Sequence, residues 1–336
     1  MTDNYVRATK KDSIINYLNK IDGNCLIIYS PTSIKNIDYN FSRFDNFVST
    51  NNITKNVTSI DKYIKEHCEF ISSVISIGGG SSIDIGKYIS HKIQCKLTVV
   101  PTMLSTNAYA TSKVALIVNN EKVTIDSKIP DEVILDYTLL KQSLKYNLFG
   151  IADILSIHTA LNDWSLADSK GIEKINSKIY NMALTLLSKT IDYINNNEYD
   201  TFNMNIDELY YAIGEAGNIT NLYGSGRPES GSEHILAKAI EGKFNVHHGI
   251  SVSISIIIMS IIQNNIDNNV YNCFRKIRII EDIKNSNIKR ADLFSILKEL
   301  KPRQGRYSIV DTFSHDSSYI NNVLDKYEKV LNGDIL

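Results

Sequence analysis

Short apolar runs alternate with amphipathic stretches along the first half of the chain. Three of these runs are rich in residues that favour β-strands, and each ends in a turn of Ser, Pro, Gly or Thr. They are Cys25–Tyr29, Val74–Ile77 and Leu97–Val100. Strands separated by helical segments predict a parallel α/β sheet, with ligands bound beyond the carboxyl ends of the strands. Three turn-rich loops should therefore converge on one edge of that sheet: Ser30–Ser33, Gly78–Ser82 and Pro101–Thr102.

From about Tyr146 onward the pattern becomes helical. Gly and Pro are rare between long segments that carry apolar residues at i, i+3 and i+4, as in Ile175–Ile194 and Val270–Ile283. A chain of 336 residues is near the usual length for two domains. We therefore expect an N-terminal Rossmann-like α/β domain over residues 1–147 and an all-helical domain over 148–336, with a cleft between them.

Composition and charge favour a soluble protein that binds a small molecule. The 36 Lys and Arg balance 37 Asp and Glu to a net charge of −1, which argues against nucleic acid as a partner. The most apolar stretch, Gly249–Ile262, contains four serines and is too short for a membrane span of about 20 residues. The four cysteines form no C-x-x-C pair, so a reducing cytoplasm is expected: Cys25, Cys68, Cys95 and Cys273.

The segment Gly78–Lys87 follows a predicted strand and opens a predicted helix. Its glycines would let a ligand approach the backbone closely, and the N-terminus of the helix attracts phosphate. Two common templates fail: the dinucleotide pattern G-x-G-x-x-G would need glycine at Ile83, and the P-loop spacing is one residue too long and lacks Ser or Thr at Tyr88. We interpret the loop as a phosphate-binding turn, and a plain strand-to-helix turn is the alternative.

The helical half contains three candidate metal ligands, Asp153, His234 and His248. One carboxylate and two imidazoles suit a divalent ion such as Zn²⁺, and three protein ligands leave a position for a substrate oxygen. Dispersed residues of these types are more often ordinary hydrogen-bonded groups, so the pattern alone leaves both interpretations open. Four other histidines are assigned no ligand role: His67, His91, His158 and His315.

Seven motifs follow one another over most of the chain. They are Gly78-Gly-Gly-x-x-x-Asp84-x-Gly-Lys87, Val100-Pro-Thr102-x-x-Ser105, Ala152-Asp153-Ile-Leu, Asp163-Trp164, Gly226-Arg-Pro-x-x-Ser-Gly-Ser-Glu-His234, His248-Gly249 and Arg306-Tyr-Ser-Ile309. The series resembles the metal-dependent polyol dehydrogenases of the iron-containing alcohol dehydrogenase superfamily, which includes glycerol dehydrogenase and, more remotely, dehydroquinate synthase. The Asp-Trp pair, the run ending at His234 and the late Arg-Tyr-Ser-Ile are most similar to the sn-glycerol-1-phosphate dehydrogenase branch.

This resemblance implies a dehydroquinate synthase-like fold and an NAD(P)-dependent oxidoreductase of polyol phosphate or phospholipid metabolism. It implies that Asp153, His234 and His248 bind a catalytic metal, Zn²⁺ or alternatively Fe²⁺ or Ni²⁺, with a degenerate site or His247 in place of His248 as the alternatives. Asp at the first ligand position favours a dehydrogenase over the cyclising synthases. Residues expected to line the NAD or NADP cofactor are Gly78, Gly79, Gly80, Ser81, Asp84, Thr102, Ser105 and Thr111.

Departures from the branch lie where the substrate is expected. Asn107 stands at a position that usually carries Asp, and Lys238 stands where a second histidine usually follows His234 by four residues. Ile250 replaces a common Glu, and Ser30 replaces a Gly. Asn107, Asp153 and Lys238 are the expected substrate contacts, and Lys238 adds a cation to the catalytic set.

A permanent cation in the pocket predicts an anionic carbonyl substrate, with dihydroxyacetone phosphate as the first candidate. Lys238, Lys113 and Arg227 are the candidate phosphate ligands. The alternatives are a different acidic carbonyl compound, a sugar-phosphate cyclase of the dehydroquinate-synthase type, and a non-enzymatic metal-binding protein. A homo-oligomer is compatible with the sequence.

Overall fold

The computed structural model describes residues 9–21, 24–35, 37–197 and 205–334. These residues form two compact units. The first comprises the described residues up to Asn147 together with Asn205–Asn221, and the second comprises the other described residues. The expected division at 147/148 had placed Asn205–Asn221 in the helical half of the chain. In the structure that segment instead belongs to the first unit.

Eight strands lie in the first unit. They are β1 (Thr9–Lys11), β2 (Cys25–Tyr29), β3 (Asn46–Ser49), β4 (Ser73–Gly78), β5 (Lys96–Pro101), β6 (Lys113–Val118), β7 (Glu121–Asp126) and β8 (Glu132–Leu135). Six of them form a parallel sheet in the order β1-β8-β5-β4-β2-β3, and β6 pairs with β7 as an antiparallel hairpin. The three strands expected from the sequence and their parallel pairing are confirmed. Their apolar residues are buried in the core of this unit.

Helices cover the sheet of the first unit. They are α1 (Ile14–Asn19), α2 (Pro31–Ile34), α3 (Val57–His67), α4 (Gly80–Lys92) and α5 (Tyr137–Gln142), followed by α6 (Leu144–Leu155), which continues into the second unit. Several begin at a side chain that accepts a hydrogen bond from the first turn, as Ser13, Asn56 and Asp136 do. Such N-caps satisfy backbone N–H groups that have no partner within the helix.

The second unit is helical throughout its regular structure, as expected. Its helices are α7 (Ile157–Ser169), α8 (Ser177–Asn196), α10 (Ser232–Glu241), α11 (His248–Ile262), α12 (Asn268–Lys276), α13 (Ile279–Lys284), α14 (Arg290–Glu299) and α15 (Ser317–Asn332). A further helix, α9 (Ile206–Tyr223), lies mainly in the first unit. No helix in the described ranges is both long and apolar enough to cross a bilayer.

The most apolar stretch of the chain forms the central helix of the second unit. Helix α11 is buried along nearly its whole length and packs against α7, α10, α13 and α15. Its buried serines keep their hydroxyls hydrogen-bonded within the helix: Ser253 Oγ donates to the Gly249 carbonyl, and Ser255 Oγ donates to the Ser251 carbonyl. This local bonding explains how four serines are tolerated in a core helix.

One expected helix is interrupted. The periodic segment Val270–Ile283 forms two helices, α12 and α13, because Arg278 adopts a left-handed conformation with φ of 59°. The turn ends α12 and lets both Ile277 and Ile279 point into the core, where each is almost fully buried. By contrast, the expected helix over Ile175–Ile194 is confirmed by α8.

Candidate metal and cofactor sites

Asp153, His234 and His248, all residues of the second unit, lie close together on three helices. Asp153 lies two residues before the end of α6. His234 is the third residue of α10, and His248 is the first residue of α11. The side chains therefore come from three separate helix ends, and Asp153 lies more than 80 residues before both histidines along the chain.

The geometry of this cluster suits a divalent cation. Asp153 Oδ1 lies 3.5 Å from His248 Nε2 and 3.9 Å from His234 Nε2. Tetrahedral zinc with bonds of about 2.0–2.2 Å holds neighbouring ligand atoms about 3.4 Å apart. Asp153 Oδ1 is also buried and has no hydrogen-bond partner among the described residues. An orphaned buried carboxylate oxygen is costly, and a cation bound by the three side chains would satisfy it.

Carboxylates hold the opposite nitrogen of each imidazole. His234 Nδ1 lies 2.7 Å from Glu233 Oε1, and His248 Nδ1 lies 2.6 Å from Glu241 Oε1. Both Nε2 atoms are thereby left facing Asp153. The sequence analysis assigned no role to Glu233 or Glu241, although Glu233 lies within the motif that ends at His234. No spacing signal distinguishes Glu241 from the other acidic residues.

The electrostatic field of the cluster favours positive charge. Burial works to lower the pKa of His248, but the carboxylates of Asp153 and Glu241 outweigh it and raise that pKa to about 10. Burial works to raise the pKa of Glu233, yet hydrogen bonds from His234, the Gly231 N–H and other donors lower it. A site that holds a proton this strongly also attracts a metal cation, which competes with protons for the same nitrogen atoms.

The alternative ligand His247 lies outside the cluster. It is exposed at the N-cap of α11, and its ring lies 5.1 Å from that of Phe149. The adjacent His248 supplies the nitrogen atom that faces Asp153. The geometry therefore selects His248 over His247.

Two of the three candidate phosphate ligands are held by partners within the protein. Arg227 is fully buried, where it donates to the carbonyls of Asp163 and Tyr307 and pairs with Glu173 at 3.1 Å. Its Nη1 has no hydrogen-bond partner among the described residues, and its role in binding phosphate stays a prediction. Lys113 forms an ion pair with Asp126 across the β6–β7 hairpin.

Lys238 lies one turn after His234 on α10 and is exposed to solvent. The expectation of a buried cation is therefore wrong for this lysine. Residues at i and i+4 share one face of a helix, so Lys238 and His234 still lie on the same side of α10.

The glycine-rich segment forms a tight strand-to-helix turn in the first unit. Gly78 ends β4 with φ of 145°, a backbone conformation that a side chain would strain, and a Cβ there would lie 3.0 Å from Ser30 Cβ. Gly79 is the N-cap of α4 and offers no side chain to its first N–H groups. The start of α4, with Gly80 and Ser81, is therefore suited to an anionic ligand.

The other expected cofactor residues lie in different surroundings. Thr102 follows β5 at the same edge of the sheet, and its backbone N–H donates to the Gly78 carbonyl. Asp84 instead points away from solvent and pairs with Lys55 at 2.7 Å.

Thr111 is buried against Asn221. Ser105 is half-buried in the loop before Thr111, and the half-buried Asn107 begins a short 3₁₀ helix, Asn107–Tyr109. Binding of a cofactor by these residues stays a prediction.

Known proteins resemble the chain in both sequence and fold. Residues 32–143 match the family described as iron-containing alcohol dehydrogenase. A glycerol-1-phosphate dehydrogenase [NAD(P)+] from Methanococcus maripaludis is 29% identical over 281 residues, which cover 82% of this chain and 79% of that protein. A protein of the same name from Methanococcus aeolicus is 29% identical over 209 residues, covering 62% of this chain and 58% of the relative, which is less than two thirds of its length.

The solved structures agree on the fold. A probable glycerol dehydrogenase from Sinorhizobium meliloti superposes with a TM-score of 0.69 at 14% identity, covering 97% of this chain and 98% of that one. The sequence relatives are thus named as glycerol-1-phosphate dehydrogenases that use NAD(P)+, and the structural neighbour shows the same fold. Part of this chain thus resembles iron-containing alcohol dehydrogenases in sequence, and glycerol-1-phosphate dehydrogenases are among the proteins to which it is similar.

Proposed function

We propose that this protein is a metal- and NAD(P)-dependent dehydrogenase that reduces a small phosphorylated ketone, with dihydroxyacetone phosphate to sn-glycerol 1-phosphate, or a close relative, as the reaction. The cluster of Asp153, His234 and His248, with its orphaned carboxylate oxygen, carries the proposal. The names of the sequence relatives support the substrate class.

The residues of the cluster have distinct tasks in this reaction. Asp153 Oδ1 and the Nε2 atoms of His234 and His248 would hold the cation, for which zinc is our choice because its preferred ligands match this set. When bound, the cation supplies Lewis-acid polarisation of the substrate carbonyl, and NAD(P)H supplies the hydride. The backbone N–H groups at the start of α4 would bind the cofactor pyrophosphate.

Lys238 is our candidate for contact with the substrate phosphate. It shares a helix face with His234, so an anion held near the cation is within range of its ammonium group. Together with Asn107, a neutral residue where the branch usually has an acid, it favours an acidic substrate. The same features are compatible with a different acidic carbonyl compound, which a substrate panel would identify.

The direct test follows NAD(P)H oxidation by the full-length protein with Zn²⁺ and a panel of small ketones and aldehydes, with and without phosphate groups. We expect turnover with dihydroxyacetone phosphate and one NAD(P)⁺ formed for each alcohol. Chiral analysis of the product should give sn-glycerol 1-phosphate. A carbocyclic product without net cofactor consumption would indicate a cyclase, and absence of NAD(P)H binding would rule out both enzyme classes.

A substitution separates the role of Lys238 from general surface charge. Lys238→Gln should raise KM for dihydroxyacetone phosphate by about fivefold, because an ion pair open to solvent contributes at most about 1 kcal/mol. The KM for uncharged dihydroxyacetone should not change. Lys243→Gln, an exposed lysine just beyond α10, is the matched control. Equal effects of Lys238→Gln on both substrates would remove Lys238 from the phosphate site.

A further inference from the structure

The two histidines of the cluster share an arrangement that cation binding does not by itself require. Each ring has one nitrogen atom directed at Asp153 and the other at a glutamate on α10: Glu233 for His234, and Glu241 for His248. A carboxylate can only accept a hydrogen bond from the ring. The glutamate oxygens lie 2.6–2.7 Å from Nδ1, whereas Asp153 Oδ1 lies 3.5–3.9 Å from Nε2. When Nε2 offers its lone pair to a cation, the proton of each neutral imidazole would therefore reside on Nδ1.

The two glutamates are held by different surroundings. Glu233 is fully buried, and it also accepts hydrogen bonds from the Gly231 N–H at 2.6 Å and from Thr159 Oγ1 at 2.7 Å. Those contacts fix its carboxylate whether or not His234 is present. Glu233 is therefore part of the packed core as well as a partner of the histidine.

Glu241 is held more loosely. It is the last residue of α10, and its side chain is 19% exposed. Its Oε1 accepts from both His248 Nδ1 and Ser251 Oγ, at 2.6 and 2.7 Å. His248 and Ser251 lie one turn apart on α11. A single carboxylate oxygen thus links the end of α10 to the first turn of α11, the turn that carries the ligand.

We propose that Glu233 and Glu241 are positioning residues that set the tautomer and ring orientation of His234 and His248, and that Glu241 thereby tunes the affinity of the site for a divalent cation. The inference rests on the proposed metal site. Carboxylates behind metal-bound histidines make the ring more basic as a ligand and reduce its freedom to rotate. The loss of such a partner typically weakens metal binding by about 10–100-fold.

The chain offers variants that separate positioning from simple support of the fold. Glu241→Ala removes the acceptor, whereas Glu241→Gln keeps an oxygen that can accept from His248 Nδ1 and Ser251 Oγ. Ser251→Ala removes one tether of the carboxylate and leaves the histidine contact. Glu299→Gln is the matched control, because Glu299 is an exposed glutamate of the same unit.

The experiment measures the Zn²⁺ dissociation constant of the full-length protein at fixed pH by competition with a chromophoric chelator. We expect Glu241→Ala to bind zinc about 10–100-fold more weakly, Glu241→Gln to recover most of that loss, and Ser251→Ala to lose about two- to fivefold. Glu299→Gln should match the wild type. ¹⁵N spectra of histidine-labelled, zinc-loaded protein should show Nδ1–H for His248 in the wild type and a weakened or exchanging signal in Glu241→Ala.

The outcomes separate this inference from the proposed function. If wild type and Asp153→Ala bind zinc equally weakly, the metal site itself is wrong, and the role of the glutamates falls with it. If Asp153→Ala loses zinc while Glu241→Ala binds it as tightly as the wild type, the metal site stands and the positioning role of Glu241 is overturned. Should Glu241→Ala fail to fold, Glu241→Gln and Ser251→Ala decide the question. If both variants showed an altered His248 tautomer and yet bound zinc with wild-type affinity, the proposal would be contradicted.

Discussion

Lys87 is a charged side chain that the first unit buries completely. Its ammonium group donates to the carbonyls of Ala108 and Lys113, at 2.9 and 2.6 Å. Burial lowers the pKa of Lys87 to about 8, against the opposing influence of the nearby Asp84 carboxylate. The two carbonyls flank Thr111, one of the expected cofactor residues. Lys87 therefore ties helix α4 to a segment with a predicted role in binding.

The lowered pKa of Lys87 makes the stability of the fold depend on pH. Below pH 8 the lysine is charged in both the folded and the unfolded chain, so folding includes the full cost of burying the charge. Between pH 8 and 10.5 the folded chain releases the proton while the unfolded chain keeps it, and above 10.5 the cost is gone. The wild type should therefore gain roughly 3 kcal/mol of unfolding free energy relative to Lys87→Met as pH rises through this window.

Urea unfolding of both proteins at several pH values measures this difference. Lys92→Met, which changes an exposed lysine of the same helix, is the matched control. A constant difference between the wild type and Lys87→Met from pH 7 to 10.5 would show that burial does not shift the pKa of Lys87.

Two helices approach each other closely at the start of α11. A Cβ added to Gly249 would lie 2.8 Å from Phe149 Cα on α6 and would overlap the Phe149 side chain. Because backbone atoms block the space, the first turn of α11 would have to move. That turn includes His248, so close packing of the two helices and placement of the ligand depend on the same glycine.

Gly249→Ala should therefore lower the free energy of unfolding by about 1–3 kcal/mol, the usual cost of overpacking. It should also weaken zinc binding at least tenfold. Gly242→Ala is the control, because a Cβ there would meet its nearest neighbour at 3.5 Å, an ordinary contact. Thermal unfolding and chelator competition measure both effects. Zinc affinity like that of the wild type in Gly249→Ala would show that the helix contact does not control the position of His248.

At the scale of the whole molecule, the expected binding sites for the metal and for the cofactor lie in separate compact units. The candidate metal cluster lies in the second unit, and the glycine turn with its helix N-terminus lies in the first. Each unit has its own core, so a local change in one should leave ligand binding by the other intact.

Variants in the two units should therefore lose one ligand each. Asp153→Ala should lose most of its zinc and nearly all turnover, but titrate with NAD(P)H within about threefold of the wild type. Gly80→Val should bind NAD(P)H much more weakly and keep its zinc, because a side chain at Gly80 blocks the approach of a pyrophosphate and would meet Thr106 Oγ1 at 3.1 Å. Elemental analysis and fluorescence titration give the two readouts. Unchanged NAD(P)H binding by Gly80→Val would place the cofactor elsewhere.

Local patterns along the chain were sufficient to predict the main strands and helices. The β-rich runs, the glycine turn after β4 and the long helices of the second unit follow from short-range rules of propensity and periodicity, which depend on neighbours in the sequence. The order of the motifs also led to Asp153, His234 and His248 through a family resemblance. These features are encoded within windows of a few residues, and the structure confirms the three strands and the helix over Ile175–Ile194.

Contacts between distant residues required the folded chain. The tie from Glu241 to His248, the burial of Arg227 against the Asp163 carbonyl, the break at Arg278 and the exposure of Lys238 depend on which helix faces meet. No local spacing distinguishes a glutamate that accepts a hydrogen bond from a histidine of the cluster from a glutamate that faces water. Packing makes that distinction, because the partners of a buried polar group are selected by three-dimensional proximity and by the cost of leaving the group unpaired.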